Sequence, residues 1–419
     1  GLVLGISVAI IINLLPIEGL STKGKMCLAL TLMTVVFWAL QIVQSGYASG
    51  LYLALLVIFQ VAEPTVVFSP WLGSTMYLVI GAYLIASAVK SSGLGERIAY
   101  KFILKFVSSY KSIIISVFIL TVVLSIIIPH PWPRAFLIMS VMTVVIKSAH
   151  ISKEDSIKIG FTVFAASVPV SMIFLTGDSV INPLAVQASG ITVSWLQWLI
   201  YMGPPNIIAS IITCFLILIL FKPSKEVKIN KEEIKEKLNA LGSLSNIEKR
   251  TIAWLTIAVV LWLTDTIHGI NIGWITLFVS MLMSFPLIGE TLDSKHWGEV
   301  PVHVLLFLTA AMTIGKVGNV TGMNSWIAET VLPSSIPSNP FVLAMIIGAI
   351  SMCIHMVLGT SIGIHYILPF HHLNILIGQG EENGMYGQKE VMRLGIPLTI
   401  VVFLMLLFEV LYWKLLGLI

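Results

Sequence analysis

From Trp198 to Phe221 the chain runs for 24 residues without one Asp, Glu, Lys or Arg. Coiled as a helix, that stretch is about 36 Å long, enough to cross a hydrocarbon layer of ~30 Å. Backbone groups in lipid must pair within the protein, which leaves helices or a closed barrel. The apolar residues here are continuous rather than alternating, so short barrel strands are excluded. Apolar runs of this kind recur along the chain, from 2–15 to 394–417, and some, such as 49–62 and 181–188, are too short to cross alone. Only 11% of the residues are charged and 57% are hydrophobic, whereas a soluble domain carries roughly 25% charge. The fold class is therefore an all-α polytopic membrane protein.

The net charge of +4 is small and gives no reason to expect nucleic acid as a partner. The lipid bilayer is the partner the composition demands. Cys27, Cys214 and Cys353 lie far apart in apolar segments, without metal or disulfide spacing. The chain opens at Gly1 on an apolar run with no Ala-x-Ala cleavage signal, which reads as a first membrane helix. Basic residues cluster in three regions: Lys90 to Lys111, Lys147 to Lys158, and Lys222 to Arg250. Basic loops face the cytoplasm, so these regions are expected on that side of the cell membrane, with the N-terminus there too. The third region divides the chain into an N-terminal membrane unit (1–222), a cytoplasmic linker (223–249) and a C-terminal membrane unit (250–419). Lys and Glu alternate in the linker, which reads as a solvated amphipathic surface helix without a site.

Two interruptions break the apolar pattern in the first unit. Pro129-His130-Pro131-Trp132-Pro133-Arg134 splits 112–148. Prolines lack an N–H and clash with the preceding turn, so this stretch is expected to be a re-entrant helical hairpin. Thr176-Gly177-Asp178-Ser179 breaks a second apolar run. Broken helices at matching places in two halves point to a binding site of a secondary transporter.

The two halves also share residues at a fixed spacing. Gly93-Leu-Gly-Glu-Arg-Ile98-Ala99 and Gly322-Met-Asn-Ser-Trp-Ile327-Ala328 are 229 residues apart. The same step carries His130 to Gly359-Thr360-Ser361, again between apolar runs. Asn182 and Gly203 recur as Asn374 and Gly395, now 192 residues on, so the second half is 37 residues shorter in between. With re-entrant hairpins each half crosses an odd number of times, and the repeats are expected to be inverted, each with a hairpin and a broken helix.

This arrangement resembles the divalent anion/sodium symporter family. The resemblance rests on Pro16-Ile17-Glu18-Gly19-Leu20-Ser21, Ser91-Ser92-Gly93-Leu94-Gly95-Glu96-Arg97-Ile98-Ala99, Trp195-Leu196-Gln197-Trp198 before Gly203-Pro204, and Arg393-Leu394-Gly395-Ile396-Pro397-Leu398. It implies transport of a small anion, a di- or tricarboxylate or sulfate, with sodium or proton coupling or by exchange. It also implies a homodimer, and no cofactor beyond Na+. Where that family carries Ser-Asn-Thr at its hairpin tips, this chain has Pro129-His130-Pro131 and Gly359-Thr360-Ser361. Weaker sodium dependence is expected from that loss of side-chain oxygens.

On this reading the substrate residues are His130, Arg134, Thr176, Ser179, Asn182, Thr360, Ser361 and Asn374. The coupling-ion residues are Asp178, Gly177, Gly359 and Thr360. A charge within a membrane segment is costly and is by default functional, and the Arg134 fork suits a carboxylate or sulfate. Its alternative is a structural arginine on backbone carbonyls. Asp178 reads either as an ion or proton ligand or as a partner of Arg134. The hydroxyls and amides are either ligands or satisfiers of broken helix ends. His130, His355, His365, His371 and His372 share the region, and a histidine there can carry protons or merely be a satisfied polar group. No His-Glu-x-x-His pair supports an intramembrane metalloenzyme, and the chain is read as a carrier rather than an enzyme, with a passive uniporter or channel as the alternative. Gly315 and Gly318 read as helix-packing residues.

Overall fold

The computed structural model describes residues 1–224, 231–330, 337–358, 386 and 388–419, with only the backbone course for 351–358, 388, 389 and 391. Among the described residues there are helices and no strands. The first half holds α1 (Leu2–Leu14), α2 (Thr22–Ala39), α3 (Ser45–Ile58), α4 (Pro64–Val67), α5 (Ser74–Ser91), α6 (Leu94–Phe106), α7 (Tyr110–Ile127), α8 (Pro131–Ser148), α9 (Lys153–Ser171), α10 (Ile181–Ser189) and α11 (Trp195–Leu220). The second holds α12 (Glu232–Ala240), α13 (Asn246–Leu263), α14 (Asp265–His268), α15 (Ile272–Leu282), α16 (Val302–Val320), α17 (Met323–Thr330), α18 (Pro340–Leu358) and α19 (Gln388–Leu415). Parts of α5, α7, α11, α16 and α19 are long and apolar enough to cross a membrane.

Local chemistry sets the boundaries. Ser109 with Ser112, and Ser194 with Gln197, close capping boxes at the starts of α7 and α11. Ser245 and Glu248 do the same for α13, which thereby starts inside the stretch read as linker. The linker helix α12 is only nine residues long and buries Ile234. Gly93 and Gly322 precede α6 and α17 with φ of 77° and 78°, a left-handed geometry that glycine adopts without steric cost. The repeated glycine thus marks the same sharp turn in both halves.

Outward faces are apolar. On α11, Ile207, Ile211, Phe215 and Ile219 are exposed at every fourth position, and on α19 Ile396, Ile400 and Leu404 follow the same rule. Such stripes suit lipid rather than water. Inside, one apolar cluster runs through α5–α9 to α13 and α15. A smaller one joins α2, α3 and α4 to α16 and α17.

The 229-residue step also relates element boundaries. It carries the starts of α3, α5, α6 and α7 to within two residues of those of α15, α16, α17 and α18. The 192-residue step carries Trp195 to 387, one residue before α19, and Pro205 onto Pro397. Close helix approaches obey the same exchange. A Cβ on Gly46 of α3 would lie 2.5 Å from His303 of α16, and one on Gly273 of α15 would lie 2.1 Å from the Ser74 carbonyl of α5. The end of α5 meets the stretch that leads into α16, through Lys90 Nζ to Glu299 at 3.1 Å and His296 Nε2 with Ser91 Oγ at 3.0 Å. The end of α19 meets the start of α11: Tyr412 donates to the Ile200 carbonyl at 2.7 Å and Trp413 Nε1 to the Tyr201 carbonyl at 3.1 Å.

The three basic regions gather at one end of the bundle. Lys158 donates to the Lys222 carbonyl, Lys231 to the Leu104 carbonyl, and Arg97 to the Gly242 carbonyl.

Candidate functional site

The proline-rich interruption folds as a hairpin tip. α7 ends at Ile127 and α8 starts at Pro131, where a missing N–H costs nothing because first-turn N–H groups have no helical partner. His130 is the N-cap: its Nδ1 accepts the Trp132 N–H at 3.2 Å. That acceptor role leaves the proton of the neutral ring on Nε2. The imidazole is buried, with the Tyr83 and Trp132 rings 4.8 and 5.7 Å away.

The second interruption lies against the first. After α9 the backbone makes a short 3-10 turn, Leu175–Asp178, before α10. The Ser179 N–H donates to the Pro129 carbonyl at 3.1 Å, stitching break to tip. Asn182 Nδ2 donates to the Ser171 carbonyl at 2.8 Å, at the open end of α9, and to the Phe174 carbonyl at 3.0 Å, which also accepts the Gly177 N–H. Thr176 Oγ1 accepts the Trp195 indole N–H at 3.0 Å. Asp178 Oδ1 accepts the Val180 and Ile181 N–H groups, both at 3.0 Å, and so caps α10. A Cβ at Gly177 would lie 2.5 Å from the Ser171 carbonyl, so the turn closes only around glycine.

Arg134 reaches from the first turn of α8 into this junction with 0% of its surface exposed. Its Nη1 donates to the carbonyls of Ile128 and Gly177, both at 3.2 Å, tying hairpin to break. Among the described residues its Nε and Nη2 are buried without a hydrogen-bond partner, as are the Ser179 and Tyr83 hydroxyls. Asp178 is close enough to interact electrostatically with Arg134, His130 and Tyr83. It is not the direct partner of the guanidinium, whose hydrogen bonds go to the Ile128 and Gly177 carbonyls while Asp178 Oδ1 accepts two backbone N–H groups.

The sequence-predicted residues therefore sort by what they touch. His130, Arg134, Thr176, Gly177, Asp178, Ser179 and Asn182 do come together. Asn182 uses its side chain to satisfy the break, and Thr176 uses its own to hold the Trp195 indole. Arg134 and Ser179 keep unpaired groups. Gly177 was read as a coupling-ion residue, yet its carbonyl accepts from Arg134, and a cation added there would face a positive charge. Gly359, Thr360, Ser361, Asn374, His365, His371 and His372, with the side chain of His355, lie outside the described residues. Among the described residues no three His, Cys, Asp or Glu groups converge as a metal site. Sequence reasoning missed Tyr83, which sits in an ordinary helix pattern with no local mark, and took Trp195 only as part of a motif, not as part of the junction. Gly318 packs against the next helix, where a Cβ would lie 2.1 Å from Asn324 Oδ1 of α17, whereas Gly315 meets no described atom within 4 Å.

The model of a family described as the sodium:sulfate symporter transmembrane region matches residues 1–370. A Cupriavidus necator protein called only a membrane protein is 23% identical over 460 aligned residues, 96% of this chain and 89% of that one. A sodium-dependent dicarboxylate transporter of Staphylococcus saprophyticus is 23% identical, over 74% of this chain and 66% of its own length. The chloroplastic dicarboxylate transporter 1 of Spinacia oleracea is also 23% identical, over 75% of this chain and 57% of its own. This chain thus spans about two thirds or less of these two named transporters.

Proposed function

We propose, because the chain belongs to the sodium:sulfate symporter family, that its hairpin–break junction binds the transported anion. The protein is a secondary transporter of the dicarboxylate and sulfate class, and not an enzyme. One observation carries the proposal: a fully buried guanidinium with Nε and Nη2 unpaired among the described residues, in a junction that also holds the unpaired hydroxyls of Ser179 and Tyr83. Buried polar groups are nearly always satisfied, and an open cationic fork in lipid is far costlier than a neutral one. A carboxylate or a sulfate oxygen pair supplies what the fork lacks.

The halves are inverted repeats in this reading. It is supported by the 229-residue recurrence of element starts, by the exchanged close approaches at Gly46 and Gly273, and by α5 ending where α16 begins. The second tip, 359–361, then completes the site from the other face, with Thr360, Ser361 and Asn374 as neutral ligands. Coupling to sodium is weaker than in the sodium-dependent relative, because Arg134 already neutralises the anion and occupies the Gly177 carbonyl. Proton coupling or anion exchange takes its place. The three basic regions face the cytoplasm in the cell membrane, and two chains pair as a dimer.

The test is uptake of radiolabelled succinate, citrate and sulfate into proteoliposomes, with counterflow from preloaded vesicles. Saturable uptake stimulated by internal anion supports the carrier. Unsaturable flux without counterflow favours a passive channel and overturns it.

A further inference from the structure

Asp265 stands alone at the first position of α14 in the second half, 92% shielded from solvent given its relative exposure of 8%. Its Oδ2 accepts the backbone N–H of Trp195 at 2.7 Å, across 70 positions of sequence. Its Oδ1 is buried with no hydrogen-bond partner. No described cation pairs with it. Trp195 opens the 26-residue α11, whose capping box Ser194 and Gln197 already provide. A carboxylate at a helix start gains from the helix dipole, yet an orphan carboxylate oxygen in this setting costs more than a neutral cap would.

From Trp195 the contacts run inward. The indole N–H holds Thr176 Oγ1 at 3.0 Å, and the indole face stacks on Phe174 at 5.6 Å. Phe174 precedes, and Thr176 lies within, the 3-10 turn that presents Gly177 to Arg134 and leads to Ser179. We infer that Asp265 is a positioning residue for the anion site, holding Trp195 so that the first-half break keeps its shape. It contacts no ligand itself, and it ties the site in one half to the start of α14 in the other. This inference rests on the anion-site reading above.

The test is transport by the full chain in proteoliposomes, with succinate and sulfate as probes, alongside Arg134→Ala. Asp265→Ala and Trp195→Phe are each expected to raise KM about tenfold, the scale of one charge-assisted hydrogen bond, while the maximal rate changes less than about threefold. Asp265→Asn keeps an oxygen for the Trp195 N–H and should restore KM to near the wild-type value. The double variant should be no worse than either single one, because both break the same chain of contacts. Should Asp265→Ala not assemble, Asp265→Glu displaces the carboxylate and serves in its place. A folded Asp265→Ala or Asp265→Glu variant with wild-type KM overturns the inference, as do effects that simply multiply, or loss confined to the maximal rate. Unaltered affinity in Arg134→Ala would instead overturn the site reading, so the two failures are told apart.

Discussion

Arg97 and Glu248, 151 positions apart, form a buried two-pronged ion pair: Nε meets Oε1, and Nη2 meets Oε2 at 3.0 Å. The remaining Arg97 donors go to the Leu241, Gly242 and Ser243 carbonyls. The motif Gly93–Ala99 thus staples the end of the linker and the start of α13 onto the first half. Removing one partner leaves a buried charge uncompensated, a loss of about 3–5 kcal/mol. Arg97→Ala is expected to lower the melting temperature in detergent markedly, and Arg97→Ala with Glu248→Ala to lower it by less than the two losses combined. Fluorescence-detected unfolding measures both, and additive losses would remove the staple.

Arg134→Ala should abolish saturable binding of every transported anion in a protein that still folds. Arg134→Lys should bind at least about tenfold more weakly than wild type, since a point charge cannot satisfy two oxygens as a planar fork does. Thermal-shift titration with succinate and sulfate distinguishes these outcomes, and wild-type affinity in either variant removes Arg134 from the site.

Replacing sodium by choline at fixed pH should reduce uptake only modestly. With Arg134 on the Gly177 carbonyl, the first half offers a poor cation site. A strict sodium requirement with a steep cooperative curve contradicts this account of the junction.

Gly273→Ala should destabilise, because its Cβ would sit 2.1 Å from the Ser74 backbone oxygen. Backbone does not yield as a flexible side chain does, so a loss of about 1–3 kcal/mol is expected. Gly315→Ala, which meets nothing within 4 Å, should be neutral or stabilising by up to about 1 kcal/mol, as alanine is the better helix former. Melting temperatures of the pair provide the check.

The exposed loop after α15 supplies a pH dependence. Glu290 pairs with Arg250, and this hydrogen bond, with a further one from the Leu287 N–H, holds its carboxyl below the usual carboxylate range. A depressed carboxyl stabilises the fold above its unfolded-state pKa, and that contribution is lost as the pH falls through its folded-state value. Stability should therefore fall on acidification below pH ~4, and Glu290→Gln should flatten that part of the profile. Unfolding curves collected from neutral to acid pH give the answer, an unchanged profile in the variant counting against the pair.

Much of this architecture is legible in the chain alone, for reasons that are local. Charge-free runs such as 198–221 require helices because lipid offers the backbone no partners. Pro129, Pro131 and Pro133 force the hairpin tip wherever they are placed. Gly93 and Gly322 mark one left-handed turn twice. The tertiary structure alone decided what the side chains at those breaks do. Arg134, Asp178, Thr176 and Asn182 look alike as polar residues in apolar surroundings. Only the folding of the break onto the tip sets Asn182 to satisfying broken backbone, gives Thr176 the Trp195 indole, turns Asp178 into a cap, and leaves the Nε and Nη2 nitrogens of Arg134 without a partner among the described residues. Tyr83 and Asp265 carry no signal in their own neighbourhoods, and the motif at Trp195 gives no hint of its partners, since these roles depend on contacts across tens of residues. Hydrogen-bond satisfaction is a property of the assembled junction, and sequence periodicity records only which face of a helix is apolar.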